Sequence, residues 1–79
     1  MSFESVRDRE KSCVAQTYGR YQVALDSGRG ARCVDVEGKK YVDFTSGIGV
    51  NALGYCDEGW VQAVTGQLNK LQHASNLFY

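Results

Sequence analysis

Two glycine-bearing turns divide the stretch from Val23 to Phe44 into three short apolar runs, and no other feature constrains the fold as strongly. Val23-Ala24-Leu25 is followed by Asp26-Ser27-Gly28-Arg29-Gly30, where two glycines accept positive φ without steric cost. Arg32–Val36 and Tyr41–Phe44 carry the β-branched and aromatic residues that suit a pleated surface. Between them Glu37-Gly38-Lys39-Lys40 reads as a hairpin loop, its glycine where a bulge or left-handed residue would sit. The pattern predicts strands over Val23–Ser27, Arg32–Val36 and Tyr41–Phe44, joined as a three-stranded antiparallel meander.

The flanks are helical or irregular. Residues 1–16 alternate charged and small residues with little apolar periodicity, as a tail or frayed helix would. Thr45–Tyr55 holds three glycines and reads as a loop. A helix is predicted over Asp57–Gln72, with Asp57 as N-cap and Glu58 favouring the positive helix end. Val61, Val64, Leu68 and Leu71 form one apolar stripe with Trp60 beside it. Gly66 weakens this helix by about 1 kcal/mol relative to alanine, and Lys70 and His73 suit its C-terminal end. The fold class is α+β. Leu77, Phe78 and Tyr79 close the sequence on an apolar triplet, which resembles the start of a buried element.

Composition narrows the function classes. The 79 residues contain no proline, and nine basic residues balance nine acidic ones. There is no net basic field for nucleic acid or an anionic membrane. No apolar run approaches the ~20 residues of a membrane span, and Met1–Ser12 lacks the apolar core of a signal peptide. Cys13, Cys33 and Cys56 lie far apart with no CxxC pair, so they read as reduced thiols of a cytoplasmic protein.

Gly47-Ile48-Gly49-Val50-Asn51-Ala52 fits the letters G-x-G-x-x-A, but Leu53-Gly54-Tyr55 intervenes before the helix, whereas a phosphate-binding turn opens directly into one. The carboxylate expected about 20 residues further on is also missing. These glycines therefore read as a tight loop whose backbone approaches something closely. His73 has neither a nearby carboxylate nor a second histidine, and reads as a helix-end or packing residue. Lys11, Lys39, Lys40 and Lys70 sit in polar surroundings, unlike a Schiff-base lysine, which needs desolvation. Tyr18, Tyr21, Tyr41, Tyr55 and Tyr79 read mostly as half-buried packing residues. No nucleophile–base pair, metal cluster or phosphate cradle emerges from the residues alone.

Taken in order, six motifs add a resemblance. They are Tyr18-Gly19-Arg20-Tyr21-Gln22-Val23; Gly28-x-Gly30-Ala31; Asp35-x-x-Gly38-x-x-Tyr41-Val42-Asp43-Phe44; Ser46-Gly47-Ile48-Gly49-Val50-Asn51-x-Leu53-Gly54; Gln67-x-x-Lys70-Leu71; and His73-x-Ser75-Asn76-Leu77-Phe78-Tyr79. Their order and spacing over residues 17–79 resemble the amino-terminal region of class III pyridoxal-phosphate aminotransferases. The acetylornithine branch is most similar, with the succinylornithine and ornithine branches next. One departure stands out: where the family usually continues with His-x-His-Pro after Leu53-Gly54, this chain has Tyr55-Cys56-Asp57-Glu58.

The resemblance implies the amino-terminal segment of a fold-type-I enzyme that works as a homodimer. Such an enzyme would move an amino group between N-acetylornithine and 2-oxoglutarate, in arginine biosynthesis. Residues 17–54 would be the meander and glycine-rich loop of its small domain, and residues 55–79 a helix leading into its large domain. The Schiff-base lysine, the acid facing the pyridinium nitrogen and the phosphate loop would lie downstream. The 79 residues alone are therefore expected to be inactive, without specific pyridoxal-phosphate binding, and to self-associate through the apolar stripe. Two positions carry over to a substrate pocket: Tyr18, approaching the substrate's polar end, and Ile48, whose apolar side chain suits an acyl group. The rivals are a non-enzymatic α+β interaction module and another class III enzyme acting on ornithine, succinylornithine or 4-aminobutyrate.

Overall fold

The computed structural model describes residues 1–79. In chain order it holds helix α1 (Phe3–Cys13), strands β1 (Leu25–Arg29), β2 (Arg32–Asp35) and β3 (Lys40–Val42), and helix α2 (Glu58–Leu68). The strands form one antiparallel sheet in the order β1-β2-β3. The expected α+β class and meander-then-helix order are both present.

Strand β1 lies two residues later than the sequence pattern predicts, because the turn is tighter than the glycine-rich run suggested. Arg29 pairs with Arg32, which leaves Gly30-Ala31 as a two-residue turn. Gly30 has φ +60°, as a glycine-first hairpin turn requires. Gly28 is consequently a strand residue opposite Cys33. A Cβ at Gly28 would come within 2.7 Å of the Tyr55 ring, so this glycine serves close packing. A bulge at Asp26 shifts the register between Leu25↔Asp35 and Ser27↔Val34.

The second hairpin is built around Asp35. Its Oδ1 accepts the Glu37 and Lys39 N–H groups, each at 2.9 Å, and Gly38 takes φ +87°. The Tyr41 hydroxyl donates to Asp35 Oδ2 at 2.9 Å. Desolvation disfavours the charged Asp35, but the bonds from Lys39, Tyr41 and Glu37 outweigh it, and its pKa is lowered. The same bond to Asp35 raises the Tyr41 pKa.

Residues 3–13, read from sequence as a tail or frayed helix, are helical. The Ser2 hydroxyl accepts the Ser5 N–H at 3.1 Å, and Ser5 reciprocates as a capping box. Extended Val14 ends the helix. In α2 the Asp57 carboxylate accepts the Trp60 N–H at 3.0 Å. This helix stops at Leu68, four residues before the expected end. The Asn69 side chain donates to Thr65 O at 3.0 Å, and the Lys70 and Leu71 N–H groups fold back on Gln67 O. Lys70 and His73 therefore lie beyond the helix they were expected to finish.

Little of this surface is covered. Cys33, at 5% exposure, is the one buried residue. Neither helix packs against the sheet or the other helix. The stripe of Val61, Val64, Leu68 and Leu71 is exposed, as are Leu77, Phe78 and Tyr79. The accessible surface is 7152 Å², against about 4,700 Å² for a self-contained monomer of this mass. The radius of gyration is 16.2 Å, where a compact domain of this length would give about 11.6 Å. No helix is long and apolar enough to cross a membrane.

Candidate functional site

The loop after β3 is the most constrained irregular segment, and its order starts at Asp43. Asp43 Oδ1 accepts three bonds: Thr45 N–H at 2.7 Å, Thr45 Oγ1 at 3.0 Å and Ser46 N–H at 3.0 Å. Four successive residues then take positive φ: Ser46 at 54°, Gly47 at 58°, Ile48 at 60° and Gly49 at 81°. The Ile48 and Gly49 N–H groups bond Thr45 O at 2.9 and 3.2 Å, closing a left-handed turn. For an L-residue this conformation costs roughly 1–2 kcal/mol, and for β-branched isoleucine it is a true outlier. Ile48 nevertheless leaves its side chain 96% exposed. Strain of this kind persists only where surrounding contacts over-determine it, and it clusters at functional sites.

Both ends of the loop are tied to the same two-residue turn. The Asp43 N–H donates to Ala31 O at 2.8 Å. Tyr55 exchanges two backbone bonds with Gly30, at 2.8 and 2.9 Å. Gly54 makes this approach possible: it takes φ +80°, and a Cβ there would stand 2.9 Å from Gly30 O. The Thr45 N–H foremost, with the Tyr55 hydroxyl and Ser46 N–H, holds the Asp43 carboxyl at about 2. The Asp43 carboxylate in turn pushes the Tyr55 phenol up to about 12, although the two side chains fall short of strict hydrogen-bond geometry.

Tyr18 occupies a different place. Arg20 Nη1 donates to Glu10 Oε1 of α1 at 2.8 Å, and its guanidinium sits 5.7 Å from the centre of the Tyr18 ring. The ion pair thus tethers the Tyr18–Tyr21 segment to α1. Tyr18 borders an open, mainly apolar recess of about 710 Å³ with Tyr21, Leu25, Tyr41, Phe44 and Tyr55. Ile48 is not among the lining residues. The structure therefore does not bring the two sequence-predicted pocket residues together in this recess.

Gly47–Ala52 does not open a helix, since α2 begins at Glu58. His73 and all four lysines are exposed, and Lys39 Nζ stands 5.4 Å from the Tyr41 ring centre. No three His, Cys, Asp or Glu residues converge on a possible metal position. Cys13 and Cys56 are exposed thiols and Cys33 a buried one. Sequence reasoning missed Asp43, while Tyr55 is half-buried as expected, its ring against Gly28. The available signal was an aspartate two and three residues ahead of Thr45 and Ser46, the spacing of a side-chain-capped turn.

The family profile described as aminotransferase class-III matches residues 13–79. The chain belongs to the class III aminotransferases. An acetylornithine aminotransferase of Haemophilus ducreyi is 48% identical over 79 residues, all of this chain and 20% of the relative. The crystal structure of acetylornithine aminotransferase from Elizabethkingia anophelis superposes with a TM-score of 0.91 at 35% identity, covering 100% of this chain and 21% of that one. Ornithine delta-aminotransferase of Plasmodium falciparum gives 0.91 at 28% identity, covering 100% and 20%. The chain thus spans about a fifth of the length of these class III relatives.

Members of the class III family use pyridoxal phosphate. The residues present do not fit that group. Its phosphate calls for an unblocked helix N-terminus, yet α2 is capped by the Asp57 carboxylate with Glu58 in the first turn, and α1 is capped by Ser2 with Glu4 in the first turn. The exposed lysines lack the desolvated setting that favours a Schiff base.

Proposed function

We propose that this chain is the amino-terminal part of an aminotransferase that moves an amino group between N-acetylornithine and 2-oxoglutarate, in arginine biosynthesis. The rest of a longer, cytoplasmic, homodimeric enzyme supplies the Schiff-base lysine and the phosphate loop. Residues 17–54 belong to its small domain and residues 55–79 lead into its large domain, with residues 1–16 as a lead-in helix. The observation that carries this reading is the 48% identity to a curated acetylornithine aminotransferase across the whole chain. The surplus of about 2,400 Å² of surface over a self-contained monomer supports it, because further protein has to cover such a surface.

In this reading Tyr18 and Ile48 border the substrate from separate segments. Ile48 is uncovered at the tip of a strained turn, which suits a residue that meets a ligand. The runner-up is an ornithine aminotransferase, since the Plasmodium falciparum enzyme superposes as well as the acetylornithine aminotransferase does, each at a TM-score of 0.91. The test is kcat/KM of the intact enzyme for N-acetylornithine, N-succinylornithine, ornithine and 4-aminobutyrate, each with 2-oxoglutarate. N-acetylornithine is expected to exceed ornithine by about tenfold or more, the scale on which one pocket contact discriminates. Faster turnover of ornithine or 4-aminobutyrate overturns the substrate assignment. No amino transfer from any donor overturns the enzyme reading in favour of an interaction module.

A further inference from the structure

The Ser46–Gly49 turn combines three observations that the substrate assignment alone does not explain. Ile48 adopts a left-handed φ of 60° although it is β-branched. Its side chain is 96% exposed, so no packing within this chain compensates the conformation. One carboxylate oxygen, Asp43 Oδ1, takes all three bonds that start the turn. The Asp43 backbone is itself bonded to Ala31 O, and Tyr55 closes the far end of the loop on Gly30. The Gly30-Ala31 turn is thus a fixed base, and Asp43 sets the direction in which the turn leaves it.

We infer that Asp43 is a positioning residue for amino-donor specificity: its carboxylate clamps the Ser46–Gly49 turn and so aims Ile48 at the acyl end of the substrate. The inference rests on the reading that Ile48 borders the amino donor. Asp43 makes its contribution through Ile48 and touches no substrate. Two of the three donors on Oδ1 are backbone N–H groups, so its removal leaves Thr45 and Ser46 without their partner together. Asparagine keeps an oxygen at that position and loses only the charge, whereas alanine removes the clamp.

The test is a double-mutant cycle in the intact enzyme. The readout is the ratio of kcat/KM for N-acetylornithine to that for ornithine. Ile48→Ala should lower the ratio about tenfold, as loss of a pocket contact does. Asp43→Ala should lower it by a similar factor, mainly through KM for the acylated donor, and Asp43→Asn should stay within about threefold of the unmodified enzyme. If Asp43 acts through Ile48, adding Asp43→Ala to Ile48→Ala changes the ratio by less than about threefold, because coupled sites are not additive. Multiplicative effects, or an unchanged ratio in Asp43→Ala, overturn the inference and leave the substrate assignment standing. An unchanged ratio in Ile48→Ala overturns the placement of Ile48 itself, and the inference with it. Should Asp43→Ala fail to fold, Thr45→Val takes its place: it removes one of the three bonds, and a smaller shift that vanishes in the Ile48→Ala background supports the same conclusion, whereas a shift that persists there overturns it.

Discussion

The meander with its loop and the α2 helix are held in different ways. From Leu25 to Tyr55 the backbone is pinned by contacts within the same segment: the Asp35 side chain closes one hairpin, the Asp43 side chain starts the loop, and the Tyr55 backbone returns it to Gly30. Helix α2 has its Asp57 cap and its own ladder but buries no residue. An isolated helix of 11 residues is marginal in water. The first region carries its conformation in local contacts, while the second has an apolar stripe whose purpose lies outside itself.

The largest effect is expected at that stripe. In the 79-residue chain, exposed Leu68 and Leu71 should drive self-association, since each bulky side chain left in water forgoes about 1.5–3 kcal/mol. Replacing both with lysine should weaken association by more than about tenfold per site in sedimentation equilibrium. Amide protection in the meander should not change. If the substitutions also abolish that protection, the two regions are not independent.

Next comes Gly54→Ala, aimed at the loop. It places a Cβ 2.9 Å from Gly30 O at φ +80°, where the obstructing atom is backbone. A loss on the order of 3 kcal/mol is expected from clash and strain together, read by urea unfolding of the meander. A stabilised or unchanged variant would show that the Tyr55–Gly30 bridge contributes little.

The pH dependence of the loop follows from its pair of shifted groups. Asp43 is held at about 2, below the ~3.9 of an unfolded aspartate, so its contribution is present above pH ~4 and lost as pH falls towards 2. Tyr55 is raised to about 12, above the ~10 of a free phenol, so its contribution is present below pH ~10 and lost as pH rises through 12. The Tyr55 amide should accordingly be best ordered between these limits, as followed by NMR line shape. Loosening already at pH 6 would contradict the clamp. The smallest effect belongs to Asp57→Ala, which should cost α2 about 1 kcal/mol, seen as reduced helicity by far-UV circular dichroism with the meander intact.

The same division explains what could be read from the sequence. The three strands and the Glu37–Lys40 hairpin follow from glycine placement and β-rich composition, which act locally. The position of β1 did not follow, because Gly28 is needed for the Tyr55 ring, 27 residues away along the chain. Nor did the helix end at Leu68, which depends on competing side-chain amides of Gln67, Asn69 and Gln72. Tyr18 and Ile48 came from the resemblance, and nothing in spacing or composition singled them out. Asp43 was visible as an Asx-turn signal beside Thr45 and Ser46, but its three bonds and the left-handed run beyond it are properties of the folded loop.

Hydrogen exchange of the 79-residue chain, kept dilute enough to be monomeric, tests the contrast most directly. Slower exchange is predicted at the Gly30, Asp35, Val36, Asp43 and Tyr55 amides than anywhere in Glu58–Leu68, with the helix gaining protection only when its stripe is covered. Equal or stronger protection of α2 in the monomer would contradict the account, because the helix would then be stable without any partner for its apolar face.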